Sequence, residues 1–247
     1  MPQNPLPYES GELPVNGIDL AYHAFGRRTD PAYLLIMGLG TQMVAWDDAF
    51  CRQLMHRDYY VIRFDNRDVG LSGRLANAGV PDLAALDQGR ATGHPERPPY
   101  TLDDMAADGI GLLQGLGIQR AHVAGVSMGG MIAQVMASAF PQHVRSLTSI
   151  MSSTGRPDLP PPTPEALEVL LTPFPTDRDG YIESFVRTYR ILSGPVYPIN
   201  EVRVRRWAQC HFDNGVNPDG VARQLAAILY AGDRTAALHR ITVPTLV

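Results

Sequence analysis

Short apolar runs separated by polar, glycine-rich turns and longer segments of helical spacing organise most of the chain. Residues 13–25, LPV-Asn16-Gly17-IDLAYHAF, predict a hairpin, because Asn-Gly is the favoured pair for a type I′ turn. Residues 33–37 (YLLIM) form a short continuous apolar run, the pattern of a buried strand, with GLG after it. Residues 46–57 have helical spacing, with Phe50, Leu54 and Met55 on one side. Residues 59–64 (YYVIRF) predict the next strand, which leads into the polar turn DNRDVGLSG. Residues 74–100 carry glycine, proline and charge without a clear period, which predicts a long loop of the functional or mobile kind.

Helical spacing resumes at Thr101, with Asp104 placed for a capping box and Leu102, Met105, Ala106, Leu112, Leu113 and Leu116 on the apolar side. Gly109, Gly111 and Gly115 weaken this helix on propensity alone. AHVAGV (121–126) predicts a central strand, 128–140 the helix after it, and VRSLTSIM (144–151) a further strand. The proline-rich stretch RPDLPPPTP (156–164) predicts a hinge or linker. Helix-like segments follow near 165–172, 178–193, 200–213 and 218–231, then a short one at 233–240 and the start of a strand at 243–247.

Strands alternating with helices predict a mostly parallel sheet covered on both faces. The expected organisation is an α/β core over 1–153, a helical cap over 154–232, and a return to the core over 233–247. In such sheets chemistry sits at the carboxyl ends of the strands. Met37-Gly38-Leu39-Gly40, Asp65-Asn66-Arg67 and Ser127 all fall at such ends.

Composition narrows the class of protein. The 247 residues are 45% hydrophobic and 19% charged, suited to one globule with a sizeable core. A net charge of -4 supplies no basic face, so no nucleic-acid partner is expected. The start, MPQNPLPYES, has neither a basic nor an apolar leader region, and no apolar run is long enough to span a bilayer. Cys51 and Cys210 match no ligand spacing and are expected to be free thiols in a reducing, cytoplasmic setting, with no metal and no cofactor.

The residues with the clearest chemistry are Gly125-Val126-Ser127-Met128-Gly129, a Gly-x-Ser-x-Gly pattern between a predicted strand and a predicted helix. That setting presents a serine as a nucleophile on a tight turn, and the small Gly125, Gly129 and Gly130 let strand and helix pack closely. The blander alternative is a serine that caps the helix beginning at Met128. An acyl-transfer serine also needs donors for an oxyanion. The Met128 N–H is one, and the turn after YLLIM should supply the other, with Leu39 expected first and Gly40 next. A plain glycine-rich β-turn is the competing reading of that segment. Asp65 and Arg67 are expected to form a structural pair pinning their turn, with Ser72 in the same role.

These features resemble the α/β-hydrolase superfamily of serine esterases. The shared stretches are IMGLG followed by Trp46, DNRDVGLSG as a variant of the family's Asp-x-Arg-Gly-x-Gly-x-Ser turn, and GVSMGG. The segment from 205 to 247 resembles the cap end of bacterial carboxylesterases of the aclacinomycin methylesterase type. One departure is Met37, where many relatives carry histidine; a backbone donor makes that change of little consequence. The resemblance implies the α/β-hydrolase fold and an acyl-enzyme on Ser127 formed from a small hydrophobic ester. Leu170, Leu171, Phe174, Phe185, Tyr189, Trp207 and Leu229 are the cap residues expected to suit such a substrate, each of them also readable as cap core. Lactonase, C–C bond hydrolase and perhydrolase activities share the machinery and stay open. So does a non-catalytic ligand-binding protein. Dehalogenase activity is disfavoured and epoxide hydrolase activity excluded, since both place aspartate where Ser127 stands.

The base and the acid are the unanswered part. His23, His56, His94, His122, His143 and His239 all fall away from the strand ends expected to hold the site, and only His211 in the cap could overhang it. Asp158 is the one carboxylate near the end of the 144–151 strand, and it lies on the proline linker. The family order, serine then acid then histidine, therefore places both groups past Val247, where a relative would continue for roughly 40–50 residues. On this reading residues 1–247 alone are inactive or barely active unless the remainder is supplied as a separate chain. A homodimer stays open.

Overall fold

The computed structural model describes residues 8–247. The hairpin is formed by β1 (Glu9–Val15) and β2 (Ile18–Phe25). Asn16 and Gly17 take φ 47° and 78°, the two positive values that a type I′ turn requires. The remaining core strands are β3 (Ala32–Ile36), β4 (Tyr60–Phe64), β5 (Ala121–Val126), β6 (Val144–Ile150) and the two-residue β7 (Thr245–Leu246). They form one sheet in the order β1-β2-β4-β3-β5-β6-β7. The β1–β2 and β2–β4 pairs are antiparallel and the other four are parallel. Register aligns Ile36 with both Phe64 and Gly125, so the carboxyl ends of β3, β4 and β5 finish side by side.

Side chains of β3 alternate between two apolar clusters. Leu34 and Ile36 join the larger one, and Leu35 and Met37 the smaller. The larger cluster is closed by α3 (Leu102–Gly115) and α4 (Met128–Ala139). The smaller lies under α1 (Asp48–Met55) on the opposite face. Thr101 and Asp104 make the expected capping box at the start of α3. The glycines of α3 have a packing cause. A Cβ on Gly111 would lie 2.4 Å from Val15 Cγ1, and one on Gly109 3.1 Å from Met136 Sδ. Close approach to β1 and α4 thus offsets a propensity cost of about 1 kcal/mol per glycine.

Two segments differ from the sequence-based expectation. The helix expected from Trp46 begins at Asp48, capped by the Asp47 carboxylate, and a 3-10 turn at Met43–Ala45 precedes it. Phe50 is exposed and stacks on Trp46, while Cys51 is the fully buried residue of α1. The segment 74–100, expected to be a loop, contains α2 (Leu83–Thr92). Asp82 accepts from the N–H groups of Ala84 and Ala85, and Gly93 ends the helix at φ 79°. Only Leu86 of α2 is buried, so the helix carries no apolar stripe to read.

After β6 and an exposed proline stretch come four helices, α5 (Pro164–Leu171), α6 (Arg178–Leu192), α7 (Glu201–Asp213) and α8 (Pro218–Ala231). Tyr181, Ile182, Phe185, Val186, Val204 and Ala208 give this region an apolar cluster of its own, drawn from α6 and α7. The short α9 (Thr235–Leu238) then leads to β7. Among the described residues no helix is long and apolar enough to cross a membrane.

Candidate active site

Ser127 alone makes the turn between β5, which ends at Val126, and α4, which begins at Met128. Its backbone lies at φ 54° and ψ -119°, a conformation that costs a non-glycine residue on the order of 1–3 kcal/mol. The Ser127 N–H donates to Ile150 C=O at 2.9 Å, and its own carbonyl accepts from Met131 N–H at 3.1 Å. The Ser152 hydroxyl donates to the same carbonyl at 2.9 Å. Surrounding glycines leave no space for larger residues. A Cβ on Gly125 would lie 1.9 Å from the Gly129 carbonyl oxygen, and one on Gly129 2.3 Å from that of Ile36. Ser127 makes no side-chain cap to α4, so the capping alternative has no support in the geometry.

The segment after β3 approaches from the other side; a Cβ on Gly38 would sit 3.3 Å from Ser127 Cβ. Gly38 to Thr41 form a turn closed by the Thr41 N–H on Gly38 C=O at 3.2 Å. Gly40 supplies the positive φ of 61° at its third position. The Thr41 hydroxyl donates to Leu39 C=O at 3.1 Å, and Asn66 Nδ2 donates to Met37 C=O at 3.0 Å. Gly40 N–H donates to Gln224 Oε1 at 2.8 Å. Of the two donors expected in this turn, Gly40 is therefore already engaged. The N–H groups of Leu39 and Met128 donate to no described residue.

The turn after β4 forms the third wall. Asp65 is fully buried and accepts from Met43 N–H at 2.6 Å and Leu71 N–H at 2.9 Å. Burial raises its pKa to about 6, against the pull of those two donors. Arg67 does not pair with Asp65, contrary to the sequence-based expectation. It makes a bidentate pair with Asp108 of α3 at 2.6 and 2.7 Å. Asp65 is consumed by two backbone donors, Leu71 of its own turn and Met43 of the 3-10 turn before α1, and Arg67 points instead to the helix packed beside it. The Ser72 hydroxyl is structural, donating to Asp65 C=O and accepting from Ala21 N–H. Asp68 takes a bidentate pair from Arg223 of α8, both bonds at 2.8 Å. Burial alone would raise the Asp68 carboxyl; the bonds from Arg223 and Leu75 N–H outweigh it and hold the group below its ordinary value.

A cavity of about 810 Å³ lies over these strand ends, lined by Ser127, Leu39, Gly40 and Asp68 on the sheet side. Leu170, Leu171, Phe174, Phe185, Tyr189 and Trp207 line it from the helices, as the sequence predicts. Leu229 does not line it; Leu225, one helical turn earlier on α8, does.

All seven histidines lie among the described residues, and none lines the cavity or hydrogen-bonds Ser127. His23 is buried beside Arg63, 3.0 Å away, and burial, aided by that guanidinium, lowers its pKa to about 4. His122 stands at the far end of β5 against Ser146, and His143 reaches Gln119 C=O. His56 and His239 cap α1 and α9, and His94 is exposed after α2. His211 packs edge-on to Phe185 with ring centres 4.9 Å apart, and burial lowers its pKa to about 3. It is a buried residue of α7 packed against α6. Asp158 is exposed and paired with Arg156.

Sequence reasoning missed Gln42, Asn214, Arg223 and Gln224, which join the helical region to the strand-end loops. Asn214 Nδ2 donates to Gln42 Oε1 at 2.9 Å, and Gln42 Nε2 donates to His211 C=O at 2.9 Å. A signal existed for α8. Gly220, Arg223, Gln224 and Ala227 share its inward stripe, and two polar side chains on such a stripe imply buried partners.

Comparison with known proteins agrees with this architecture. The model of the alpha/beta hydrolase fold family matches residues 31–194. Rhodomycin D methylesterase DnrP of Streptomyces peucetius is 28% identical, over 93% of this chain and 77% of its own length. A 3-oxoadipate enol-lactonase of Acinetobacter baylyi is also 28% identical, over 53% of this chain and 40% of its own. Among solved structures, a hydrolase from Pseudomonas aeruginosa superposes with a TM-score of 0.65 at 26% identity, covering 96% of this chain and 78% of its own. The 2-hydroxy-6-oxo-6-phenylhexa-2,4-dienoate hydrolase of a Rhodococcus strain reaches 0.69 at 17% identity, covering 97% and 79%, a likeness of fold. With its elbow, sheet order and family match in agreement, this chain belongs to the alpha/beta hydrolase fold family.

Proposed function

We propose that the protein is a serine carboxylic-ester hydrolase with Ser127 as the nucleophile. The observation that carries the reading is the strained Ser127 turn, which faces a large, mostly apolar-lined cavity beside two uncommitted backbone N–H groups. In the proposed reaction Ser127 Oγ attacks the ester carbonyl carbon. The carbonyl oxygen takes up negative charge and is met by the N–H groups of Leu39 and Met128, which cost no reorganisation because neither has another partner to leave. Collapse breaks the C–O bond to the alcohol, and water then hydrolyses the acyl-enzyme. Every histidine within residues 1–247 has another place in the fold, so the proposal assigns the base and its orienting carboxylate to residues outside them.

A methyl ester is the substrate class to which the relatives named as methylesterases point. The cavity of about 810 Å³ is roomy enough to take a drug-sized acyl group beside so small an alcohol. A lactone, the substrate class of the enol-lactonase relative, would use the same attack. The test, on protein supplied with the residues that carry the base and carboxylate, is labelling with a fluorophosphonate and turnover of methyl esters of large aromatic acids. Labelling confined to Ser127, with both signals lost in Ser127→Ala, is expected. Turnover retained in Ser127→Ala would refute the assignment. Tight binding of such esters with neither labelling nor turnover would favour a non-catalytic binding protein.

A further inference from the structure

The Gly40 N–H, the engaged donor of the turn after β3, is held by a side chain from a distant helix. Gln224 of α8 is fully buried, with both ends of its amide used. Oε1 accepts the Gly40 N–H and Nε2 donates to Arg67 C=O, each at 2.8 Å. One partner can only donate and the other only accept, so the amide has a single orientation. Arg67 is itself anchored by Asp108. Val221, one helical turn before Gln224's neighbour Leu225, covers the same glycine; a Cβ on Gly40 would lie 2.8 Å from Val221 Cγ2.

We propose that Gln224 is a positioning residue for the oxyanion hole, tying the seating of α8 to the orientation of the Leu39 N–H; this rests on the serine-hydrolase reading above. The Leu39–Gly40 peptide is gripped at both ends, its carbonyl by the Thr41 hydroxyl and its N–H by Gln224. Without Gln224, the half-buried Gly40 N–H and the Arg67 carbonyl both lose their partner. Unpaired polar groups away from water are costly, so the peptide turns to find another acceptor. Rotation of that peptide shifts Leu39, the residue whose N–H is proposed to meet the oxyanion. A ground-state ester, with less charge on its oxygen, feels this far less than the transition state does.

The experiment compares Gln224→Leu, Gln224→Glu and Ser127→Ala with the wild-type enzyme. Gln224→Leu should lower kcat about 10- to 100-fold, short of the loss of a whole oxyanion donor, with KM within about threefold. Its rate of fluorophosphonate labelling should fall by a similar factor. In Gln224→Glu an ionised carboxylate still accepts from Gly40 but opposes Arg67 C=O, whereas the protonated acid satisfies both. The ratio of its kcat to that of wild type should therefore rise as pH falls. Where Gln224→Leu does not fold, this ratio carries the test. A kcat within twofold of wild type for Gln224→Leu, a loss confined to KM, or a flat pH ratio for Gln224→Glu would overturn the positioning role. If Ser127→Ala still turns over, the serine reading fails instead.

Discussion

Arg223→Met removes one half of a buried ion pair and leaves the other half in place. Asp68 is wholly buried, and Arg223 supplies two of its short bonds. After the change Asp68 keeps the Leu75 N–H at 2.8 Å, a long contact from Asn217 at 3.4 Å and the neighbouring Tyr100 hydroxyl, none of them charged. Gly79 C=O also loses its donor. Breaking a buried pair from one side costs about 3–5 kcal/mol. For a chain of this size that lowers Tm by roughly 6–20 °C. The pH dependence follows from the two states of Asp68. In the wild type its folded pKa is depressed, so its contribution is complete above the unfolded value and is lost as pH falls through the folded one. In the variant only the neutral Leu75 N–H and Tyr100 hydroxyl still oppose burial, so the folded pKa rises and the cost appears as pH rises through that higher value. The stability gap should therefore widen from pH 5 to pH 7. Urea unfolding followed by circular dichroism at several pH values measures it. Asp68→Asn in the Arg223→Met background should recover part of the loss by removing the stranded charge. A loss under about 1 kcal/mol at pH 7, or one that is the same at pH 5, would refute the reasoning.

Gly129→Ala places a methyl group 2.3 Å from the Ile36 carbonyl oxygen and 2.7 Å from that of Met37. It should destabilise by about 1–3 kcal/mol or more and abolish labelling of Ser127; normal labelling would contradict the close β3–α4 contact. His211 is neutral when folded, with a pKa lowered to about 3 by burial, so the unfolded chain takes up the proton first as pH falls below 6.5. At pH 5 this amounts to about 2 kcal/mol of lost stability. His211→Phe should flatten the stability profile between pH 5 and 6.5 by close to one proton, and an unchanged slope would count against burial as the cause. Cys51 is fully buried and its thiol is pushed up to about 12 by that burial. A thiol-reactive disulfide should therefore modify Cys210 in the native protein and both cysteines after denaturation; native modification of Cys51 would show that α1 opens.

Local pattern and small residues were enough to read the parallel strands, the hairpin and the serine turn. The reason is that each of these rests on neighbours in sequence. YLLIM is apolar throughout because β3 is buried on both faces. Asn16-Gly17 accepts positive φ by itself, and Gly125 and Gly129 surround Ser127 within two residues on either side. Helix α2 was missed because only Leu86 is buried, leaving no period to detect.

The partners of polar residues were a different matter. Arg67 was expected to bond within its own turn and instead crosses to Asp108, 41 positions away. Gln224 reaches Gly40 across 184 positions, and Arg223 reaches Asp68 across 155. A buried polar group must find a partner somewhere, and its residue type says only that one is needed. Packing decides which one: α3 brings Asp108 to Arg67, and the seating of α8 over the ends of β3 and β4 brings Gln224 and Arg223 to Gly40 and Asp68. The sequence by itself therefore determined the serine and the turn that presents it. Which N–H beside it is left free was decided by tertiary structure alone, through the burial of Gln224 against Gly40.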